Sequence, residues 1–167
     1  PTRQGGKNTK EYILWKSMLE RCYSEKVHVN HPTYVGCTVS DNFKHYAYFF
    51  EWCQTQIGFN IEGYQLDKDI IYKGNKEYNE NNCVFIPNIV NTMLTKSNSR
   101  RGDLPIGVTK NGNNFRARCN ADGTQKNLGT FNTPELAFNA YKAFKEEHIK
   151  ELAEKYKDTI DPRAYQA

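Results

Sequence analysis

The sequence predicts an α+β protein built from two small domains. Its 167 residues leave room for one medium domain or two small ones, and a mean hydropathy of −0.82 argues against a single large apolar interior. Aromatic residues make up 13% of the chain, enough bulk for two small cores. Apolar residues recur at helical spacing in the N-terminal half. After residue 105, three segments alternate apolar and polar residues, as β-strands do.

The N-terminal elements start with a polar arm over residues 1–8. The spacing of Tyr12, Trp15, Met18 and Cys22 predicts a helix over 9–23. Residues 24–34 lack a period and predict a loop, followed by a short strand over 37–39. Asp41 is placed to cap a second helix with a wide apolar face.

The middle of the chain predicts a strand, a loop, a strand and a helix. The strands cover 65–72 and 83–86, and the polar loop between them covers 74–82. Pro87 stands where the first residue of a helix is expected. Together these elements predict a first domain over 9–94. Residues 95–104 have no periodic apolar pattern and predict a linker.

The C-terminal segments predict a three-stranded antiparallel sheet with a helix, over 105–160. Strands are expected at 106–110, 115–120 and 125–131, separated by turns rich in Asn, Asp and Gly. Thr133 followed by Pro134 predicts a helix cap and first helical residue.

Positive charge is concentrated in one part of the chain. The net charge is +4 and the isoelectric point is about 8.8, a mild excess that favours a polyanionic partner. Only Asp103 and Asp122 oppose a group of bases between residues 96 and 126. That group consists of Lys96, Arg100, Arg101, Lys110, Arg116, Arg118 and Lys126. Within the linker, Arg100 and Arg101 are expected to touch phosphates.

Strand alternation predicts two different faces for the C-terminal sheet. One face is expected to pack on the helix and contains Val108, Phe115, Ala117, Cys119, Leu128 and Thr130. The other face is expected to be exposed and contains Thr109, Arg116, Arg118, Asn120 and Asn127. Arg and Asn donors match guanine and adenine edges, while an ordinary solvated face explains the same composition about equally well.

A motif string adds to this pattern. Gly107-Val108, Leu128-Gly129-Thr130-Phe131, Thr133-Pro134-Glu135-Leu136-Ala137 and Ala140-Tyr141 occur in the order and spacing of one family. The segment resembles the Apetala-type (ethylene-response-factor) DNA-binding domain. The resemblance implies a sheet laid in the major groove of double-stranded DNA. By position, Thr109, Arg116, Arg118, Asn120 and Asn127 fall where that family contacts DNA. Further expected DNA contacts are Lys110, Lys126, Arg100 and Arg101. Ile106 and Thr109 replace arginines usual in the family, so the base sequence read by plant members is not implied.

A second resemblance covers roughly residues 12–95. Leu66-Asp67-Lys68, Gly74-Asn75, Asn82-Cys83-Val84-Phe85 and Asn91 are similar to HNH-type endonuclease segments of phage and mobile-element proteins. The resemblance implies a ββα nuclease site with Asp67, Lys68 and Asn91 as catalytic positions. Asp67, Asp69 and Asn91 would then bind Mg²⁺ or Mn²⁺.

The general-base position of that site carries a lysine. HNH enzymes use a His there, whereas an ordinary lysine is protonated at neutral pH and cannot accept a proton from water. Lys68 is therefore interpreted as a phosphate or carboxylate partner. Two interpretations stay open: a DNA-binding protein on a nuclease scaffold that has lost cleavage, or a divalent-metal-dependent nicking endonuclease with another base, such as His45. A phage interaction protein that targets a host protein is a third.

Compartment and partners follow from simple counts. The five cysteines form no CxxC pair, which predicts a reduced protein with Cys22, Cys37, Cys53 and Cys83 mostly buried. No apolar run reaches the length of a signal peptide or membrane span. The expectation is a cytoplasmic protein, in the host cytoplasm if phage-encoded, with double-stranded DNA as partner, no membrane and an open oligomeric state.

Overall fold

A computed structural model describes residues 1–94 and 103–167, which form two compact units. The first unit consists of Pro1–Pro87 together with Thr159–Ala167, and the second consists of Asn88–Asp158. The second unit is thus inserted into the sequence of the first. This division differs from the predicted domains 9–94 and 105–160. Arg100, Arg101 and most of the predicted linker 95–104 lie outside the described residues.

The elements alternate between helices and short strands, so the predicted α+β class is confirmed. The helices are α1 (Lys10–Tyr23), α2 (Glu25–Asn30), α3 (Asp41–Lys44), α4 (Tyr46–Thr55), α5 (Asn88–Leu94), α6 (Pro134–Tyr156) and α7 (Pro162–Gln166). The strands are β1 (Arg3–Gln4), β2 (Lys7–Asn8), β3 (Thr38–Val39), β4 (Tyr64–Asp67), β5 (Glu77–Tyr78), β6 (Val84–Pro87), β7 (Val108–Asn111), β8 (Asn114–Ala121) and β9 (Thr124–Phe131). In these parts of the chain, every helix is too short or too polar to cross a bilayer.

Helix α1 begins as its sequence predicts. The Thr9 hydroxyl accepts a hydrogen bond from the Tyr12 backbone N–H at 3.4 Å, which satisfies one of the free donors of the first turn. Met18 and Cys22 lie one turn apart and are buried. The predicted loop over 24–34 is wrong: α2 and a 3₁₀ turn at Pro32–Tyr34 occupy it. Neither has a buried residue, so no apolar period marked them in the sequence.

The second predicted helix is broken into α3 and α4 at His45. Ser40, rather than Asp41, caps α3, because its hydroxyl accepts from the Phe43 N–H at 3.3 Å. In a continuous helix, Phe43 and Phe49 would point about 120° apart. The break lets both rings enter one core, edge to face, with centroids 5.1 Å apart and both side chains fully buried.

The predicted order of strand, loop, strand and helix is only partly present: β4, β6 and α5 follow one another, but the predicted loop 74–82 contains strand β5, which pairs with β3. Strands β4 and β6 pair antiparallel, with Leu66 opposite Phe85. Strand β4 ends at Asp67, well short of the predicted residue 72. The Asp67 carboxylate accepts hydrogen bonds from the next backbone N–H groups and so forms a turn there. Pro87 ends β6 rather than starting the helix.

The C-terminal segment completes the first unit. Ile160 and Ala164 are buried, and the Tyr64 and Thr159 hydroxyls lie 2.7 Å apart. Arg163 donates to the backbone oxygen of Asn81 at 2.8 Å and pairs with Asp161 at 2.7 Å. That guanidinium lowers the pKa of the Asp161 carboxyl. The last residues therefore fold back onto the loop before β6, which the sequence did not reveal.

The second unit is the predicted three-stranded sheet with a helix. Its strands are antiparallel in the order β7-β8-β9, and α6 starts at a Thr133 cap whose hydroxyl accepts from Leu136 N–H. Val108, Ala117 and Ala137 form one buried cluster between sheet and helix. Helix α5 also belongs here, because Met93 is buried with Ala121 and Leu152.

Candidate nucleic-acid interface

Strand pairing defines an outer face of the β7-β8-β9 sheet, opposite to the side covered by α6. Ala117, Cys119 and Ala121 alternate along β8 on the helix side and are buried. Arg116 and Arg118 therefore stand on the outer side. Residues directly opposite each other in an antiparallel pair share a face. The outer face thus contains Thr109, Asn111, Arg116, Arg118, Asn120, Gln125, Asn127 and Thr130.

An irregularity between Ala117 and Arg118 shifts the register of β9. Asn127 pairs with Arg118, and Gly129 pairs with Ala117, so Leu128 is the extra residue of a bulge. The bulge reverses the alternation, and Thr130 lies opposite Arg116 on the outer face. The predicted position of Thr130 on the helix side is therefore wrong, while Asn127 shares a face with Arg118 as predicted.

The two guanidinium groups at the centre of this face keep their charge unneutralised. Arg116 donates to the side-chain oxygen of Asn111 at 3.0 Å, and Arg118 donates to that of Gln125 at 3.2 Å. Both acceptors are neutral amides. No ion pair joins either arginine to a carboxylate within the part of the chain that the structure describes. The amides hold the guanidiniums in place without cancelling their field.

The three strands as a whole carry only positive charge. Their basic residues are Lys110, Arg116, Arg118 and Lys126, and they contain no Asp or Glu. Lys110 pairs with Phe115 and Lys126 with Cys119, so these two lysines occupy helix-side positions on the edge strands. Both are exposed. The structure thus gathers five of the predicted DNA contacts on the outer face and places the other two, Lys110 and Lys126, on the opposite side of the sheet.

A close contact between Gly107 and Tyr141 fixes the start of β7 against α6. Gly107 has φ +78°, and a Cβ added there would lie 2.1 Å from a ring carbon of Tyr141. Only glycine fits both the backbone conformation and the space. The Gly107-Val108 and Ala140-Tyr141 motifs are therefore the two sides of one contact, which positions the edge of the outer face.

Lys68, the residue at the predicted nuclease base position, is buried and fully engaged. Only 5% of its surface is exposed. Its Nζ donates to both carboxylate oxygens of Asp69, at 2.8 and 2.7 Å, and to the backbone oxygen of Asn75 at 2.7 Å. Tyr78 lies under it, with 5.6 Å from Nζ to the ring centroid. Lys68 is thus a carboxylate partner, one of the two roles that the sequence predicted.

Asp67 holds the chain turn that ends β4. Its Oδ1 accepts the backbone N–H groups of Asp69 and Ile70, at 2.8 and 2.7 Å. Burial raises the pKa of the Asp67 carboxyl, against the effect of these two hydrogen bonds. Asn91 lies on α5 in the second unit, whereas Asp67 and Asp69 lie in the first. The metal site predicted from these three residues stays a prediction, as do Mg²⁺ and Mn²⁺.

Residues 1–94 and 103–167 contain no group of three or more His, Cys, Asp or Glu side chains arranged to hold an ion. All five cysteines are buried free thiols, which confirms the predicted burial of Cys22, Cys37, Cys53 and Cys83.

Sequence reasoning missed the amide partners Asn111 and Gln125. The exposed face predicted from the sequence contains neither Asn111 nor Gln125. The length of the two turns could have identified both residues, because a two-residue turn fixes which residues of the flanking strands pair with each other. Asn111 pairs with Asn114 across the first turn, and Ala121 pairs with Thr124 across the second, which fixes both residues on the outer side.

Neither a family model, a curated protein nor a solved structure matches this chain. The resemblances to the Apetala-type domain and to HNH endonucleases accordingly remain predictions from the motifs.

Proposed function

We propose that the protein binds double-stranded DNA through the outer face of the β7-β8-β9 sheet. One observation carries the proposal: Arg116 and Arg118 stand on this face, held by neutral amides, and neither pairs with a carboxylate among residues 1–94 and 103–167. Polyanionic DNA is the partner that such a face attracts most directly. Contacts from Arg100 and Arg101 belong to the same proposal.

The dimensions of the sheet suit the major groove. Three strands about 4.8 Å apart span about 10 Å, and the major groove is about 12 Å wide. Arg116 and Arg118 are two residues apart on one strand, so their Cα atoms lie about 7 Å apart. Base pairs rise by about 3.4 Å, so the Cα atoms of the two arginines are spaced about two base pairs apart.

The side-chain types on the outer face match base edges. Arginine donates two hydrogen bonds to guanine, and asparagine or glutamine pairs with adenine in the same bidentate way. The face offers Arg116 and Arg118 for the first kind of contact, and Asn120, Asn127 and Gln125 for the second. Thr109 at its edge has a hydroxyl that suits a phosphate.

The alternative explanation is an ordinary solvated sheet surface. The exposed side of α6 shows what such a surface looks like in the same unit. There Lys142 lies 3.7 Å from Glu146, and Lys150 lies 3.7 Å from Glu147. Bases and acids are interspersed on the helix, whereas the strands have bases alone. That asymmetry favours a function for the sheet.

A gel-shift series at fixed salt tests the proposal. Arg116→Ala with Arg118→Ala should weaken binding to duplex DNA by at least about tenfold, since each base contact contributes roughly 1–3 kcal/mol. Lys142→Ala with Lys150→Ala removes the same charge from α6 and serves as the control. Equal binding by the two double variants would overturn the assignment to the sheet.

The same protein preparation is used to test whether the protein is a nuclease. Supercoiled plasmid is incubated with the protein, with and without Mg²⁺ or Mn²⁺, and analysed for both shift and nicking. DNA binding on a scaffold without cleavage gives a shift and no nicks. Metal-dependent nicking that Asp67→Ala abolishes would instead establish the endonuclease.

A further inference from the structure

The first unit carries a small hairpin that contributes nothing to its core. Strands β1 and β2 pair antiparallel, with Arg3 opposite Asn8 and Gln4 opposite Lys7. All of residues 1–8 are exposed. An isolated two-stranded hairpin is marginally stable in water, so this one depends on what anchors it.

The anchor is a set of hydrogen bonds at the base of the hairpin. The Tyr46 hydroxyl, from α4, donates to the Pro1 backbone oxygen at 2.8 Å, and the Thr9 hydroxyl donates to the same oxygen at 3.3 Å. The Thr9 N–H donates to the Thr2 oxygen at 3.0 Å. The hairpin is therefore a projecting ribbon with a defined start, which its polar sequence did not indicate.

The tip of the ribbon is free of side chains. Gly5 and Gly6 have φ of +56° and +78°, the left-handed pair that a tight two-residue hairpin turn requires. A Cβ added at either glycine would meet nothing within 4 Å. The backbone at the tip can thus approach a surface closely.

All four strand residues of the ribbon are donors suited to DNA. Arg3 and Lys7 are the types that pair with guanine or phosphate, and Gln4 and Asn8 are the types that pair with adenine. Residues 1–8 contain no acid. Neither Arg3 nor Lys7 forms an ion pair within the described residues.

The pairing places the two cations on opposite faces of the ribbon. Arg3 shares its face with Asn8, and Lys7 shares the other with Gln4. The major groove admits a two-stranded ribbon, and its two walls are the two phosphate backbones. A ribbon entering it tip first presents one cation to each wall.

We propose that the β1–β2 hairpin is a second DNA contact, which inserts into a groove of duplex DNA and pairs Arg3 and Lys7 with phosphates of the two strands. This inference rests on the proposed function, because it takes duplex DNA as the partner. It assigns the first unit a binding role of its own, separate from the sheet of the second unit.

The salt dependence of binding tests the hairpin. Fluorescence anisotropy with a labelled 30-base-pair duplex is recorded from about 50 to 300 mM KCl for the full chain. Each phosphate contact adds about 0.9 to the slope of log affinity against log salt. Arg3→Ala with Lys7→Ala should lower that slope by about 1.8, which at 0.1 M salt is a loss of tens of fold in affinity. Far-UV circular dichroism should be unchanged, because both side chains are exposed.

Two further variants separate the two proposals. Lys142→Ala with Lys150→Ala removes the same net charge, and Arg116→Ala with Arg118→Ala removes the sheet contact. If the hairpin variant matches the lysine control while the sheet variant loses affinity, the hairpin inference is overturned and the proposed function stands. If only the hairpin variant lowers the slope of log affinity against log salt, the inference stands and the assignment of DNA binding to the sheet fails. If the unmodified protein shows no salt-dependent binding, the proposed function fails and the inference fails with it.

Discussion

Replacing Gly107 by alanine separates backbone strain from steric conflict in the DNA-binding unit that we propose. The left-handed backbone conformation costs a non-glycine residue about 1–2 kcal/mol. The new methyl group would also lie 2.1 to 2.6 Å from three carbons of the Tyr141 ring. That ring is 7% exposed and has little room to move, and overpacking of this kind costs about 1–3 kcal/mol. Together the two effects should destabilise the second unit by about 2–5 kcal/mol.

Gly112 offers a matched control for this substitution. It has φ +62°, and a Cβ added there would meet nothing within 4 Å. Gly112→Ala should therefore cost only the backbone strain, about 1–2 kcal/mol. Amide hydrogen exchange of residues 114–121 measures the opening free energy of the sheet. Tryptophan fluorescence, from Trp15 and Trp52, follows the first unit in the same samples. Equal losses at Gly107 and Gly112 would refute the close packing against Tyr141.

Two further predictions concern the loop after β4. Lys68→Met should lower the unfolding free energy of the first unit by about 1.5–3 kcal/mol, because the bonds from Nζ to Asp69 and Asn75 are lost. Urea unfolding followed by tryptophan fluorescence measures this, and an unchanged midpoint together with lost DNA affinity would assign Lys68 to a ligand instead. Asp67→Asn keeps an oxygen at the position that accepts the two backbone N–H groups and removes a buried charge. Burial raises the pKa of the Asp67 carboxyl above its unfolded value near 3.9. The free energy of unfolding of the unmodified protein therefore falls as pH rises from the unfolded pKa through the raised pKa of the folded state. The variant should gain stability relative to it as pH rises above about 4, and a difference that stays constant with pH would contradict the burial of the charge.

The sequence predicted the second unit well because its signals are local. Asp122 and Gly123 have φ of +52° and +73°, which is the turn that an Asp-Gly pair favours. Thr133 caps α6 as its position before Pro134 indicates. The bulge escaped prediction, since one unpaired residue in β9 reverses the alternation without a signal in its composition, and so did the place of α5 in this unit.

The first unit was harder to predict because its contacts are non-local. The aromatic run after Asp41 has a helical period, yet burying both Phe43 and Phe49 in one core requires the break at His45. Propensity gives no reason to end a helix there. The predicted nuclease positions illustrate the same limit: the residue types indicated a lysine paired with a carboxylate, while the Asn75 backbone partner depends on how the loop closes.

The insertion of the second unit also has a consequence for synthesis of the chain. A ribosome adds residues 88–158 before residues 159–167, so the whole second unit is synthesised before the first unit has its last segment. Until then, Tyr64 has no Thr159 hydroxyl, and the Asn81 oxygen has no Arg163 donor. Domains usually mature in the order in which they emerge. Here the first unit begins before the second unit and is completed after it.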